Sequence, residues 1–502
     1  MRQARGCWWF RCVRSVRFCA VETSNPPLRR TKIIATIGPA SDSEATLRRM
    51  MLAGMDCARI NMSHGTIEDA LTLYHRIRKL SAEVGRPIGT LVDLPGPKVR
   101  AGSFGPHAVH LEEGRQIRLV PGEGPSSDTL IHVNYDDLLR DLEAGDRLSF
   151  GDGAIDCKIE GVDGDGIRAT VTHGGRLSGK PGVHIPSDRL RISTPTREDL
   201  RILDAFVEVG VDMVAVSFVR SAHDVRRVGT EPHPRGPLVI AKIETRAAVE
   251  NLEGIIEAAG AVMIARGDLG NECSIEELPH LQKHIIRQCI AHGRPAITAT
   301  QMLESMVYAA TPTRAEASDV ANAVFDGSSA VMLSGETAIG EDPVNVVGAM
   351  ARIASRADHN FDYAGWSEDL LNLRMDEPSA LDRRLTDALT MAAGRVSNDL
   401  GCAAIMCITR SGFTARAMAR FRPEAKILAF SPDERTINQL TLSWGAIPLP
   451  LSEFAPNEVM VNEAIGVAKA RGHLRPGDVV TVIAGTDARA SATDVLRVVH
   501  VS

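Results

Sequence analysis

The sequence predicts an α/β protein: a (β/α)8 TIM barrel with an inserted small β-barrel lid domain, followed by a separate C-terminal α/β domain. Three observations carry this. Eight short strand-like runs alternate with amphipathic helix-like stretches, polar residues follow six or more of those runs, and the alternation breaks only once before the C-terminal third. Eight strands close a barrel, which gathers all the strand ends around one mouth. The competing architecture, an open doubly wound sheet, would spread them along an edge.

In chain order the eight runs are Lys32–Thr36, Cys57–Ile60, Gly89–Asp93, Met213–Ser217, Leu238–Lys242, Ala261–Ala265, Pro295–Ala299 and Ser329–Leu333. They are nearly continuous in apolar residues, as expected of parallel strands covered on both faces. Helical periodicity follows in Glu44–Leu52, Ile67–Leu80, Ile275–Ile290, Arg314–Val324 and Val344–Ile353. The polar strand ends are Asn61, Asp93, Ser217, Lys242 with Glu244, Asp268, Thr300 and Glu336. The barrel is therefore expected over 30–96 and 187–357. Between about Pro97 and Pro186 the runs Gln116–Val120, Arg147–Phe150, Ala154–Ile159 and Arg168–Val171 alternate with period two, which predicts a β insertion over 97–186 placed to act as a lid. A polar connection, Asp358 to Arg384, leads to a domain over 375–502 with strands Ala403–Thr409, Lys426–Phe430, Ala446–Pro450, Val479–Ala484 and Val495–His500. Residues 1–29 are expected to lie outside the fold. The first 30 residues hold seven arginines, three cysteines, the cluster Trp8-Trp9-Phe10 and one acid, Glu22. That composition fits an organellar transit peptide or a stretch translated ahead of the true start, and lacks the apolar core of a secretory signal.

A chain of 502 residues corresponds to roughly three domains at about 150 residues each. Apolar content of 44% and charged content of 24% are ordinary, and no run approaches the ~18 apolar residues of a membrane span. The net charge of −6 argues against general nucleic-acid binding. Nine cysteines without a CxxC pair suggest reduced thiols, no zinc site and a cytoplasmic location, with organellar targeting by residues 1–30 as the alternative. Only nine of the 57 basic residues are lysines. Arginine cannot replace a compact ammonium in a crowded phosphate pocket, so Lys32, Lys98, Lys180 and Lys242 merit weighing.

The most informative stretch is Ala241-Lys242-Ile243-Glu244 with Arg266-Gly267-Asp268-Leu269-Gly270. Each follows a buried strand, so one cation and two carboxylates meet at adjacent strand ends. Such a set suits Mg²⁺ and a phosphorylated anion: the metal satisfies Glu244 and Asp268, and Lys242 neutralises phosphoryl oxygens. A buried structural ion pair is the competing reading for Lys242 and Glu244 alone.

Further motifs fall in a recognisable order. They are Thr36-Ile37-Gly38-Pro39-Ala40-Ser41, Arg59-Ile60-Asn61-Met62-Ser63-His64-Gly65, Ser217-Phe218-Val219-Arg220, Ala299-Thr300-Gln301-Met302-Leu303-Glu304, Pro312-Thr313-Arg314-Ala315-Glu316 and Met332-Leu333-Ser334-Gly335-Glu336-Thr337. With the lysine and carboxylate motifs they make the chain resemble pyruvate kinase from Arg30 to the C-terminus. The resemblance implies transfer of the phosphoryl group of phosphoenolpyruvate to ADP, giving pyruvate and ATP in the last step of glycolysis. It also implies a homotetramer dependent on Mg²⁺, with Mn²⁺ able to stand in. Carried over, Glu244 and Asp268 hold the metal and Lys242 sits beside the migrating phosphoryl. Arg59 and Arg100 grip phosphates, while Gly267 and Asp268 receive the substrate carboxylate on backbone N–H groups. Thr300 stands near the enolate carbon that is protonated, and Asn61, Met62, Ser63 and His64 lie along the nucleotide.

Against that pattern the chain departs in three places. Cation-dependent members carry Asp-Thr-Lys-Gly-Pro-Glu where this chain has Asp93-Leu94-Pro95-Gly96-Pro97-Lys98. The Lys98 ammonium could supply the charge that K⁺ otherwise brings, so K⁺ is expected not to be required, and Asn61, Ser63 and Asp93, matching family K⁺ ligands, are not expected to hold one. In the lid, Gly179-Lys180-Pro181-Gly182-Val183-His184-Ile185-Pro186 replaces Lys-Lys-Gly-Val-Asn-Leu-Pro, losing one lysine to Pro181, although the lid acid Asp152 is kept. In the C-terminal domain Thr409, Ser411, Gly412 and Thr414 match a sugar-phosphate activator loop, whereas Gly485-Thr486-Asp487-Ala488-Arg489 departs from the family's effector pattern and leaves a sugar phosphate or a nucleotide open. Two alternatives stand beside the kinase: a Mg²⁺-dependent barrel lyase acting on a pyruvate enolate, and a catalytically weakened paralogue with a regulatory or metabolite-binding role.

Overall fold

Eight parallel strands, Lys32–Thr36, Cys57–Asn61, Gly89–Asp93, Met213–Val216, Leu238–Ile243, Ala261–Ala265, Ala296–Ala299 and Ala330–Leu333, close into a barrel in sequence order. The computed structural model describes residues 28–502 apart from 152, 364, 367–369, 371–380, 456 and 486–492. The expectations for residues 1–27, for Asp152 and for Thr486 to Arg489 lie outside the described residues. The third and fourth strands pair directly, Met213 opposite Leu91 and Ala215 opposite Asp93, although the whole insertion separates them in sequence.

The pleat decides what faces the barrel axis, because side chains alternate with period two along every strand. Ile34, Cys57, Leu91, Ala215, Ile240 and Met263 form an interior cluster, while the alternate residues pack outward against the helices. Two residues beyond five of those interior positions stand Thr36, Arg59, Asp93, Ser217 and Lys242. The same parity therefore points all five inward at the C-terminal mouth. At the opposite end Leu442, from the C-terminal domain, joins the interior cluster and stoppers it.

The helices follow the expected amphipathic stretches with shifted ends. Ile275, read as the start of a helix, is exposed; that helix begins at Leu278, with Pro279 in its first turn, where its missing N–H costs nothing. The helix Arg314–Asp326 opens on a Thr313/Glu316 capping box and stops at Gly327. There φ is 109° and an added Cβ would stand 2.5 Å from Trp366, so only glycine fits.

The insertion contains a six-stranded sheet in the order Val183–His184, Arg147–Phe150, Ile155–Asp163, Gly166–His173, Gln116–Pro121, Leu130–Val133, plus a pair, Val109–Leu111 with Gly175–Leu177. Four of these strands escape the sequence reading because two to four residues are too few to display alternation. The C-terminal domain is a five-stranded sheet ordered Ala446–Pro450, Lys426–Ser431, Ala404–Ile408, Val479–Ala484, Val495–His500, with the last strand antiparallel.

The polar connection expected from Asp358 to Arg384 needs correction. Phe361 and Leu370 are buried, and helix Leu381–Leu400 begins inside the stretch read as linker. Its core-facing positions include Thr386, Thr390, Ala393 and Ser397, too small and polar to register as an apolar stripe. The segment helps build the domain junction, where Arg422, 2% exposed, lies 4.6, 5.0 and 4.8 Å from the ring centres of Phe361, Trp366 and Trp444 and donates to the Val324 and Ser328 carbonyls. Lys32 serves the junction too, donating to the Ala446 carbonyl at 2.7 Å, well away from the mouth. Among the described residues no helix is long and apolar enough to cross a membrane.

Below the barrel the buried Asp56 carboxylate accepts from the Ile33 N–H at 2.8 Å and from Arg29 at 2.7 Å, and pairs with Arg86. Burial opposes its charge, but Arg29 and Arg86 outweigh burial and hold its pKa well below the usual carboxylate range. A depressed carboxylate stabilises the fold above its unfolded pKa and loses that contribution as pH falls below it. Asp56→Asn is expected to cost about 3 kcal/mol at pH 7, by urea unfolding, because it leaves buried cations uncompensated. The gap from wild type should shrink as pH drops below about 4.

Candidate active site

Lys242 stands at the centre of the mouth. Its Nζ donates to Ser217 Oγ at 2.8 Å and lies 2.8 Å from Glu244 Oε1 and 3.3 Å from Asp93 Oδ1. Burial disfavours the ammonium, but Asp93 and Glu244 more than offset it and raise its pKa above the ordinary value. Arg59 is fixed from the neighbouring strands: Nε donates to Asp93 Oδ2 at 2.7 Å and Nη1 to Thr36 Oγ1 at 2.9 Å. Asp93, caught between the two cations, stays ionised despite burial.

Glu244 is the unsettled member. Oε2 accepts from the Phe218 N–H at 2.6 Å, which the left-handed backbone of Phe218 (φ 55°) aims at it. Oε1 is buried and accepts no hydrogen bond, its contact with Lys242 being an ion pair of poor direction. Burial, with Asp268 adding to it against the pull of Lys242, pushes the Glu244 pKa up to about 7. An under-coordinated carboxylate oxygen acting electrostatically on a second carboxylate is what a hard divalent cation would satisfy. Among the described residues no group of three or more His, Cys, Asp or Glu could hold a metal alone, so two carboxylates would need substrate and water as the other ligands, the usual Mg²⁺ arrangement.

On the opposite wall Thr300 (φ 67°) and Gln301 (φ 52°) are held in the left-handed region, a costly conformation for residues with a Cβ. Arg266 pins this turn, donating to the carbonyls of Ala299 and Thr300 at 3.3 and 2.7 Å while paired with Asp319 at 2.8 Å. Nothing in the sequence marked Arg266 for that role beyond its place in the motif. The Thr300 hydroxyl donates to the Ala299 carbonyl at 2.6 Å and accepts from the Gly267 N–H at 2.8 Å. The Gly267 donor read from sequence as open to a substrate is therefore directed at Thr300, and Asp268 follows in the first turn of helix Arg266–Glu272.

A cleft of about 710 Å³ separates the mouth from the insertion and is lined by Asn61, Ser63, His64, Lys98, Arg100 and Lys180, among others. Met62 is not brought to it: its side chain is buried in the core cluster. Lys98 Nζ donates to Ser63 Oγ. Burial, then Lys242 and Arg100, lower its pKa, opposed by Asp93 and Asp268. Burial and the charges of Lys98, Arg100 and Arg59 likewise lower the pKa of His64. Glu336 is fully buried and binds the Leu303 and Ser334 N–H groups at 3.0 and 2.6 Å, holding two loops together. In the C-terminal loop Gly412 is left-handed (φ 76°), and the Thr414 hydroxyl is committed to Thr493 Oγ1 at 2.7 Å. Ser411 offers its carbonyl to Arg416, and Thr409 is buried.

Sequence reading missed a clasp between insertion and barrel. His184 Nε2 lies 3.1 Å from Glu272 Oε1, and the Ser187 N–H and hydroxyl donate to the same carboxylate at 2.9 and 2.6 Å. Both partners were in sight, but only the fold shows that helix Arg266–Glu272 meets the lid base. Glu272→Ala is expected to speed hydrogen exchange of the Ser187 amide by about tenfold or more, since hydrogen bonds to a charged acceptor contribute about 1.5–3 kcal/mol. An unchanged rate would remove the clasp from lid anchoring.

Comparison with known proteins fits this geometry. A family model described as the pyruvate kinase barrel domain matches residues 28–347, and one described as the pyruvate kinase alpha/beta domain matches 387–499. The pyruvate kinase of Geobacillus stearothermophilus is 38% identical over 478 residues, covering 94% of this chain and 80% of its own length. That of Mycobacterium tuberculosis is 37% identical over 459 residues, covering 91% and 95%, and that of Clostridium acetobutylicum 34% over 470 residues, covering 93% and 98%. The chain belongs to the pyruvate kinase family of phosphotransferases.

Proposed function

We propose that this enzyme, which by family acts on phosphoenolpyruvate and ADP, works with Mg²⁺ at Glu244 and Asp268 and without K⁺, the Lys98 ammonium standing in for the monovalent cation. The observation that carries the reading is Lys242, a fully charged ammonium fixed by Ser217, Asp93 and Glu244 where five strands converge. Near a migrating phosphoryl group, one unit charge at ~4 Å is worth about 4 kcal/mol at an effective dielectric near 20, or roughly three decades in rate.

Arg59 spends Nε and Nη1 on the barrel, which leaves its remaining donors for phosphate oxygens. When bound, Mg²⁺, or Mn²⁺ in its place, would neutralise the carboxylate and phosphate oxygens of the substrate. The Thr300 hydroxyl, whose proton rests on the Ala299 carbonyl, stands at the wall where the enolate is to be protonated through a water. The Asp268 N–H, in the first turn of its short helix, is the backbone donor to the substrate carboxylate, joined by Gly267 once Thr300 turns away. Asn61, Ser63, His64 and Arg100 face the nucleotide, and His64, kept neutral by the surrounding cations, serves it as a hydrogen-bonding group. The C-terminal loop from Thr409 to Thr414 is the place for a sugar-phosphate or nucleotide effector, and the assembly is a homotetramer.

Three oxygens that match a K⁺ site are already engaged. Ser63 Oγ accepts from Lys98, Asp93 is paired with Arg59 and Lys242, and Asn61 Oδ1 accepts from the Ser63 N–H at 3.2 Å. Leu94, 1% exposed, offers no side-chain oxygen, and its carbonyl already accepts from Ser217 Oγ at 2.7 Å. These engagements support the reading that the Lys98 ammonium takes the place of a monovalent cation.

Lys242→Met is expected to lower kcat by about three decades or more with circular dichroism unchanged; near-normal turnover would exclude Lys242 from the mechanism. The initial rate of pyruvate formation from phosphoenolpyruvate, ADP and Mg²⁺ should be full in K⁺-free buffer and indifferent to added KCl. A rate appearing only with K⁺ would keep the kinase and reject the role of Lys98. No rate in either buffer from folded protein would favour the regulatory paralogue.

A further inference from the structure

Where the C-terminal domain docks beneath the barrel, the segment Phe413–Ala419 places Arg416 against the barrel surface. The residue is 3% exposed. Its Nη2 donates to the Ser411 carbonyl at 2.8 Å and lies 3.4 Å from His233 Nδ1, but Nε and Nη1 are buried and have no hydrogen-bond partner among the described residues. The other cations of the junction are settled differently. Arg29 and Arg86 pair with Asp56, Arg420 pairs with Asp387, and Arg422 is spent on two carbonyls within an aromatic box. No acid acts on Arg416 among the described residues. The charge that does is Arg294, and burial together with that repulsion brings the Arg416 pKa down to about 9. His233 supplies no counter-charge in either protonation state, and burial and Arg416 keep its ring neutral.

Arg416 borders a cavity of about 20 Å³ whose wall also includes Arg294, Arg420, Arg422 and Ser443. Ser443 Oγ, buried as well, has no hydrogen-bond partner among the described residues. The space takes one small ion or a water and is too small for an organic acid. A water could accept from the idle donors but would leave the positive charge uncompensated, which is the costly part of burying a guanidinium.

We propose that this cavity binds one halide-sized monovalent anion, ordinarily chloride, held by Arg416 and Ser443, and that the bound anion fastens the C-terminal domain to the barrel. The site is separate from the cleft above the barrel, touches the loop Thr409–Thr414 only through the Ser411 carbonyl, and does not depend on the assigned activity.

Crystals of the full chain grown with bromide in place of chloride test this directly. A bromine anomalous peak in the cavity beside Arg416 is expected. In solution, NaCl should raise the unfolding temperature saturably by about 2 °C over sodium gluconate at equal ionic strength, because gluconate is too large to enter. Arg416→Met should lose that response. If the variant does not fold, the wild-type measurements decide. A cavity holding water without anomalous signal in bromide, or chloride and gluconate curves that superimpose, overturns the proposal.

Discussion

The constraint on which the rest depends is the balance of charge inside the barrel mouth. Lys242 and Arg59 are nearly out of reach of solvent, and either would be strongly unfavourable there alone. Asp93 lies between them, 3.3 Å from one and 2.7 Å from the other, and Glu244 adds a second negative charge to Lys242. Arg59 and Asp93 compensate each other, and Lys242 is compensated by Glu244 only if that carboxylate is ionised. The upward push on Glu244 means that its proton competes with anything that would bind there. The site is therefore poised rather than relaxed: a cation at Glu244 and Asp268 and a phosphorylated anion beside Lys242 would complete it together.

That balance is paid for by the barrel below it. The interior cluster from Ile34 to Met332, stoppered by Leu442, leaves the charged layer no room to sink. The junction with the C-terminal domain matters for the same reason. Among the described residues it gathers several buried cations, answered by Asp56 and Asp387 or by carbonyls and aromatic rings. Trp444 meets the Arg422 guanidinium two residues beyond the stopper Leu442, so docking of this domain and closure of the barrel floor are one packing event.

Much of this was legible in the chain. Buried parallel strands must be apolar throughout, and the residue that ends each run is where a barrel admits polarity. Lys242, Glu244 and Asp268 could thus be singled out before any coordinates. Elements with small or polar core faces were not legible: helix Leu381–Leu400 buries Thr386 and Thr390, which no hydrophobic periodicity reports. The shortest lid strands were missed because their pairing, not their composition, makes them strands.

By itself the sequence determined the number of barrel strands, the insertion point and the identity of the charged groups at the strand ends, because these rest on local periodicity and side-chain chemistry. The tertiary structure alone decided which donors remain free. The Gly267 N–H turns to Thr300, the Met62 side chain turns inward, Glu272 finds His184 across the lid base, and Arg416 is left without a counter-charge among the described residues. Each of those outcomes is a contact between segments far apart in sequence or a direction imposed by the backbone. Neither is encoded in the residues of one segment.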